Sequence, residues 1–217
     1  DADIDLLRSN VLRMGGLVER QVQRAVDGIR LMDPGLVAEV LADEEVVNRL
    51  HVQTDLMCNK VIAKREPIAV DLREIIAVLH INNDLERIGD EAKKIALKSR
   101  AFEASGGLPI PAERVEEVTG IVVEMLRGAL DAYIRHDTDG AKAVAARDDE
   151  VDALRDALIG ELMERISGTP GIVSQALAMI FVVQSIERAG DHAKNIAEYV
   201  VHVVEGSDVR HQPGTRA

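Results

Sequence analysis

The sequence has almost no aromatic residues: two Phe, two Tyr and no Trp in 217 residues. Its core therefore has to be built from Leu, Val, Ile, Ala and Met, which favours long packed helices over a sandwich or barrel. Cys58 is the single cysteine, so an internal disulfide is excluded, in keeping with a reducing cytoplasm. The chain has only 26 basic residues against 38 acidic ones, so its net charge is −12. A surface with this charge repels nucleic acids and anionic lipids. Since stacking aromatics are also missing, we expect no nucleic-acid partner.

Long apolar runs and a leader-like start are lacking as well. No uninterrupted stretch of 18 apolar residues occurs, so we expect no transmembrane helix and no direct membrane insertion. The first five residues, DADID, do not form the basic and then apolar pattern of a signal peptide. The expected location is the cytoplasm.

Apolar residues nevertheless make up 47 % of the chain. They recur at the three- and four-residue spacing of amphipathic helices, and proline and glycine interrupt this pattern at a few points. The fold class is therefore predicted to be all-α. Six long helices are predicted, over about residues 4–32, 36–64, 70–103, 113–136, 140–166 and 173–204.

One mid-chain stretch, residues 105–111, is dense in both Gly and Pro and reads SGGLPIP. Such a stretch predicts a boundary between two folded units. We expect a first three-helix bundle over residues 1–104, a second over 112–206 that Gly206 ends, and a flexible tail over 207–217.

The two predicted halves repeat one another. Residues 85–96, LERIGDEAKKIA, match residues 186–197, IERAGDHAKNIA, at eight of twelve positions with an offset of 101. Residues 43–46, DEEV, match residues 148–151, DDEV, with an offset of 105. Tandem duplication of one bundle is the simplest account of this pattern.

Each repeat keeps a glycine in the middle of its third predicted helix, at Gly89 and Gly190. A mid-helix glycine costs about 1 kcal/mol relative to alanine. Its presence in both halves predicts the close approach of another backbone or of a bound group.

Known catalytic motifs are missing. Carboxylate-bridged di-iron bundles place a histidine three residues after a glutamate, and Gly89 and Gly190 stand at that position here. The sequence also has no Walker-type phosphate loop, no nucleophile elbow and no zinc-protease motif. We therefore expect a protein that is not an enzyme.

Acidic residues four positions apart recur in both halves. The pairs are Glu86 with Asp90, Asp148 with Asp152, and Glu187 with Asp191. Four residues make a little over one helical turn, so each pair projects from one face. Adjacent carboxylates repel one another unless a cation lies between them, either a metal ion or a neighbouring Arg or Lys. The residues alone leave both possibilities open.

A carboxylate-rich site selects hard or borderline cations. Mg, Ca, Mn and Fe fit oxygen ligands, and Zn fits if a histidine joins them. His192, beside Asp191, is a weaker candidate for that role, and Glu91 replaces it in the first half.

Several segments together resemble the PhoU family. They are the repeated residues 85–96 and 186–197, residues 14–19 (MGGLVE), residues 67–73 (PIAVDLR) and residues 205–211 (EGSDVRH). The resemblance extends from about residue 4 to residue 211 and includes the duplication.

The resemblance implies two tandem three-helix bundles with acidic E/D-x-x-x-D motifs, which in some members hold clusters of Fe or Zn. Carried over, the motifs fall on Glu86, Asp90, Asp148, Asp152, Glu187 and Asp191. A fourth motif would begin at Asp43, but Val47 replaces its second acid, so Asp43, Glu44 and Asn48 are weaker candidates.

The resemblance also implies a negative regulator of phosphate uptake and of phosphate-starvation (Pho regulon) signalling. Such a protein would be a homodimeric adaptor between the ATPase PstB of the phosphate ABC transporter and the sensor histidine kinase PhoR. Arg73, Arg87 and Arg188 lie near the motifs in sequence, and we expect them to support the acids structurally and not to bind free phosphate. The alternatives are a metal-dependent, carboxylate-rich helical-bundle enzyme and a metal-free interaction scaffold.

Overall fold

A computed structural model describes residues 2–65, 67 and 69–205 of the chain. Within these residues the all-α prediction is confirmed. The helices are α1 (Ala2–Leu31), α2 (Pro34–Arg65), α3 (Ala69–Ala96), α4 (Ser99–Ser105), α5 (Ala112–Arg135), α6 (Thr138–Ala146), α7 (Asp148–Gly168) and α8 (Val173–Glu205), with a 3-10 turn at Pro170–Ile172. The predicted stop at Gly206 and the predicted tail lie outside the described residues, and the predicted unit boundaries at 104 and 112 stay a prediction.

Two of the predicted helices are each divided in the structure. The third is interrupted at Leu97 and Lys98, between α3 and α4, and the fifth at Arg147, between α6 and α7. At both points a backbone N–H bonds to the carbonyl three residues earlier: Lys98 to Ile95 and Arg147 to Val144. This tighter turn ends an α-helix without help from Gly or Pro, so punctuation in the sequence did not reveal it.

The first bundle consists of α1, α2 and α3, which pack against one another. In α3 the apolar residues that recur at three- and four-residue spacing form a buried stripe: Val78, Ile81, Leu85, Ile88, Ala92 and Ile95. The second bundle is built in the same way from α5, α8 and the pair α6–α7, which takes the place of α2. The corresponding apolar stripe of α8 is buried too: Met179, Ile186, Ala189, Ala193, Ile196 and Val200.

The two bundles meet mainly through α3 and α8, with a second contact between α1 and α5. Two ring contacts cross the α3–α8 seam. The rings of His80 and Tyr199 stack with centroids 4.5 Å apart, and the Lys98 ammonium lies 4.6 Å from the centroid of Phe181. Each residue of one pair lies 101 positions from a residue of the other, so the seam has a pseudo-two-fold axis.

The segment Pro170–Glu205, which contains α8, is long and apolar enough to cross a membrane, judged by length and composition alone. The sequence prediction did not register it because charged residues interrupt the apolar run. In this fold α8 packs against α3, α5, α6 and α7, and many of its apolar side chains are buried in the core.

The structure changes the register of the repeat in the second helix. Five buried positions in α2 have buried counterparts 104 residues later: Val40, Glu44, Val47, Thr54 and Cys58 correspond to Val144, Asp148, Val151, Leu158 and Leu162. The turns before these helices share that offset, since Asp33 and Asp137 both accept a backbone N–H with their side chains. The offset of 105 drawn from DEEV and DDEV is therefore wrong by one residue, because it aligned similar letters and not the buried face.

Candidate functional site

Gly89 and Gly190 mark the places where the acidic helices are most closely approached. A Cβ at Gly89 would lie 3.1 Å from both Gln21 Oε1 and Glu44 Oε2, and one at Gly190 would lie 3.3 Å from Val122 Cγ2. The prediction that another backbone approaches these glycines is wrong, because the nearest neighbours are side chains; the alternative of a bound group stays a prediction. In the first half the small glycine leaves room for Glu44 to reach α3.

The offset of 104 explains why the motif expected to begin at Asp43 looked incomplete. Glu44 corresponds to Asp148 and Asn48 to Asp152, so the first repeat carries Glu44 and Asn48 at the four-residue spacing. Asp43 instead forms an ion pair with Arg24, whose Nη1 lies 2.7 Å from Asp43 Oδ2.

In the first half Glu44 is buried beside Asp90. Its Oε2 accepts a hydrogen bond from Gln21 Nε2 at 3.0 Å, and its Oε1 accepts one from Asn48 Nδ2 at 3.2 Å. Burial raises the pKa of Glu44, the neighbouring Asp90 carboxyl raises it further, and the two amide donors oppose the rise. Neutral amide donors are therefore the hydrogen-bond partners described for the Glu44 carboxyl.

Glu86 and Asp90 share one cationic neighbour, Arg87. Its guanidinium lies 3.6 Å from the Glu86 carboxylate and 3.7 Å from that of Asp90, and the Arg87 side chain is 55 % exposed. Contacts this long and exposed contribute little to stability. Arg87 thus lies where a supporting role was expected.

In the second half two cations lie among the four predicted acids. Lys194 Nζ lies 2.5 Å from Asp148 Oδ2. Arg155 Nη1 lies 2.9 Å from Asp152 Oδ1 and also pairs with Glu187. The sequence left open whether a metal or a basic side chain separates the carboxylates, and in this structure basic side chains do so.

Asp191 is half-buried near the other three predicted acids of the second repeat. Burial raises its pKa to about 6, and the charges of Glu187, Asp148 and Asp152 add to the rise, while Lys194 opposes it. The structure therefore places the other three predicted acids of the second repeat near the half-buried Asp191 carboxyl. We call these four residues the second acidic face.

His192 does not belong to this face. Its Nδ1 lies 2.7 Å from Oδ1 of the buried Asp84 on α3. Asn195 donates to the same oxygen at 3.4 Å. His192 thus helps to join the two bundles.

The donor chemistry of the second acidic face suits a hard divalent cation, but its geometry does not. Among the residues that the structure describes, no three His, Cys, Asp or Glu side chains are grouped so that they could hold a metal ion. Arg155 and Lys194 occupy the cationic positions, so the face in this form does not fit a metal.

Both halves of the chain match one family model. The model describes the PhoU domain, and it matches residues 11–98 and 115–200. The chain belongs to the PhoU family. The two matched ranges coincide with the two bundles, so the duplicated architecture predicted from the sequence is confirmed.

Curated PhoU relatives and a solved PhoU structure agree along nearly the whole chain. A "phosphate-specific transport system accessory protein PhoU homolog" from Pseudomonas putida is 40 % identical over 97 % of this chain and 82 % of its own length. The homologue of that name from Pseudomonas aeruginosa is 39 % identical, over 100 % of this chain and 89 % of its own. The crystal structure of PhoU from Pseudomonas aeruginosa has a TM-score of 0.92 at 38 % identity, covering 95 % of this chain and 99 % of that one.

A more distant structure supports the fold alone. The phosphate transport system regulatory protein PhoU from Streptococcus pneumoniae has a TM-score of 0.89 at 23 % identity, over 96 % of this chain and 98 % of its own. The PhoU arrangement of two bundles is thus retained at low sequence identity.

Sequence reasoning missed a buried polar cluster between the halves. Glu74 on α3 accepts hydrogen bonds from Arg8 Nε at 2.9 Å and from Tyr133 Oη at 2.8 Å. Burial, and then the charge of Glu74, raise the pKa of the Tyr133 hydroxyl, so it stays protonated as a donor. The three residues come from α3, α1 and α5, and no local sequence pattern links them.

Proposed function

We propose that this PhoU-family protein is a cytoplasmic accessory regulator of the phosphate ABC transporter and lowers phosphate-starvation signalling. In this proposal it contacts the transporter ATPase PstB and the sensor histidine kinase PhoR and catalyses no reaction. The match of both bundles to the PhoU domain carries the proposal. The names of the curated relatives, accessory proteins of the phosphate-specific transport system, support a role in that system.

The second acidic face supports a mechanism that works through protein contacts. Its four carboxylates are held close together, and Asp191 stays half-buried among them at an electrostatic cost. A basic patch on a partner would lower that cost by adding positive charge beside the face. The contact would weaken with salt, since surface charges are screened over about 10 Å at 0.1 M.

The experiment is a binding assay with purified PstB and the cytoplasmic domain of PhoR at low and high salt. We expect both to bind the wild-type chain and the double variant Asp152→Asn/Glu187→Gln to bind at least one of them about tenfold more weakly. The exposed acid Glu103 on α4 gives the matched control, Glu103→Gln. Absence of binding to both partners refutes the adaptor role, and equal weakening by the control refutes the assigned surface.

A metal-bound form is a second proposal, and it requires the four acids of the face to move closer together than they lie in this structure. Iron or zinc, or else Mg, Ca or Mn, would bind there once Arg155 and Lys194 have moved away. Elemental analysis after dialysis tests it: Arg155→Ala should raise the metal content and Glu187→Gln/Asp191→Asn should abolish it. Equal content in all three proteins would show that the metal is held elsewhere, and no metal in any of them favours a metal-free scaffold.

The proposed assembly is a homodimer. Light scattering coupled to gel filtration tests it, because the chain alone has a mass of 23.6 kDa. We expect about twice that mass. A monomer at all concentrations contradicts the proposal without affecting the adaptor role.

A further inference from the structure

A small cavity lies where the start of α3 meets the end of α8, on a part of the molecule that carries none of the predicted acids. Its volume is about 110 Å³. Polar side chains from both helices line it, Arg73 and His80 from α3 and Tyr199 and His202 from α8, together with apolar residues such as Ile76 and Val203. Arg73, expected from the sequence to support the acidic motifs, lies in this cavity instead.

Two nitrogen atoms in the lining are buried and have no hydrogen-bond partner among the described residues: Nε of Arg73 and Nδ1 of His202. A guanidinium Nε always carries a proton, so the buried Arg73 donor is left unsatisfied. Buried donors without partners are rare in folded proteins because desolvation is then uncompensated. The Arg73 donor therefore points to an acceptor that the described residues do not supply.

Nearby carboxylates do not meet this need. An adjoining cavity of about 270 Å³ shares Arg73 and Val203 with the first and also contains Glu74. Glu74 already accepts hydrogen bonds from Arg8 and Tyr133, and Asp71, which also lines that cavity, is exposed. Among the described residues, Arg73 has no ion-pair partner within 4.0 Å.

The smaller cavity also has the right sign of charge. No Asp or Glu belongs to its described lining, although the chain as a whole has a net charge of −12. Arg73 supplies a permanent positive charge, His202 a second nitrogen, and the stacked rings of His80 and Tyr199 belong to the lining as well. Such a setting favours a small anion with several acceptor oxygens.

We propose that this cavity binds a small oxyanion of the phosphate or sulfate class, which accepts a hydrogen bond from Arg73 and a second from His202 when Nδ1 carries the proton. A volume of about 110 Å³ admits one tetrahedral oxyanion. The cavity lies between the two bundles, since α3 belongs to one and α8 to the other. An anion here would therefore hold the two halves together.

Titration calorimetry on the full chain with inorganic phosphate tests the site, with sulfate, phenyl phosphate and chloride compared at constant ionic strength. We expect saturable binding of phosphate or sulfate and none of chloride. Binding of inorganic phosphate without phenyl phosphate identifies the free ion as the ligand. Binding of both assigns the site to the shared phosphate group, with room for a substituent.

Two variants locate the binding. Arg73→Gln should weaken it at least about tenfold and His202→Gln several-fold, whereas Arg49→Gln, an exposed arginine on α2, should leave it unchanged. Thermal unfolding with and without phosphate checks that the variants are folded, and Arg73→Lys, which keeps the charge, should bind between wild type and Arg73→Gln. No saturable binding by the wild-type chain, or equal affinity in Arg73→Gln, overturns the proposal.

Discussion

Asp191 should make the folded protein less stable at neutral pH than at acid pH. Its pKa rises from 3.8 to about 6 on folding, chiefly because the carboxyl is partly buried and secondly because Glu187, Asp148 and Asp152 surround it. A raised carboxyl pKa means that the folded state binds more protons than the unfolded state between these two values. The contribution of Asp191 to stability therefore falls as pH rises from about 3.8 to about 6 and stays low above that.

The magnitude follows from the same two values. A rise from 3.8 to about 6 corresponds to about 3 kcal/mol if taken in full. Asp191 is only partly buried, so solvent screening reduces the expected penalty to about 1–2 kcal/mol. Asp191→Asn keeps the shape of the side chain and removes its charge. The variant should therefore be more stable than wild type by about that amount at neutral pH, and most of this gain should be lost near pH 4.

Urea unfolding at about pH 7.5 and about pH 4, in the presence of a chelator, measures both values. Asp149→Asn is the matched control, because Asp149 is an exposed acid on α7, and it should change the free energy of unfolding by less than about 0.5 kcal/mol at either pH. If Asp191→Asn is no more stable than wild type at neutral pH, the electrostatic account of the second acidic face is refuted. A gain of equal size at both pH values refutes its titration.

Two further predictions concern packing between helices. Tyr133→Phe should lower the free energy of unfolding by about 1.5–3 kcal/mol, because the buried Glu74 carboxylate loses a donor at 2.8 Å; in urea unfolding, a variant as stable as wild type contradicts this. Gly89→Ala should destabilise the protein by about 1–3 kcal/mol, because the new methyl group would lie 3.1 Å from oxygens of Gln21 and Glu44. Gly160→Ala on α7, where a Cβ meets nothing within 4 Å, should instead stabilise the protein by up to about 1 kcal/mol in the same assay. If both variants lose stability, the gain expected from helix propensity does not apply here, and the loss in Gly89→Ala cannot be assigned to its contacts.

The helical fold could be predicted because its signals are local. Three- and four-residue apolar spacing located the buried stripes of α3 and α8. The breaks at Lys98 and Arg147 could not be located in this way, since tightened hydrogen bonding makes them and no residue type signals it.

The candidate site was predicted only in part, for a related reason. Four-residue spacing identified the acids of the second repeat, which the structure brings together. Glu44 was ranked below Asp43 because similarity of letters, and not burial, set the register. The cations Arg155 and Lys194 could not be assigned from sequence, because which carboxylate each one meets depends on how α7 packs on α8.

The ring contacts across the α3–α8 seam have a consequence for how this architecture could arise. His80 faces Tyr199 while Phe181, the counterpart of His80, faces Lys98, the counterpart of Tyr199. An interface is isologous when position i of one half contacts position j of the other and position j of the first contacts position i of the second. An ordinary C2 dimer buries an interface of this kind. One ancestral half could therefore have paired with its own copy before gene fusion placed both on a single polypeptide, after which each side was free to acquire its own residues.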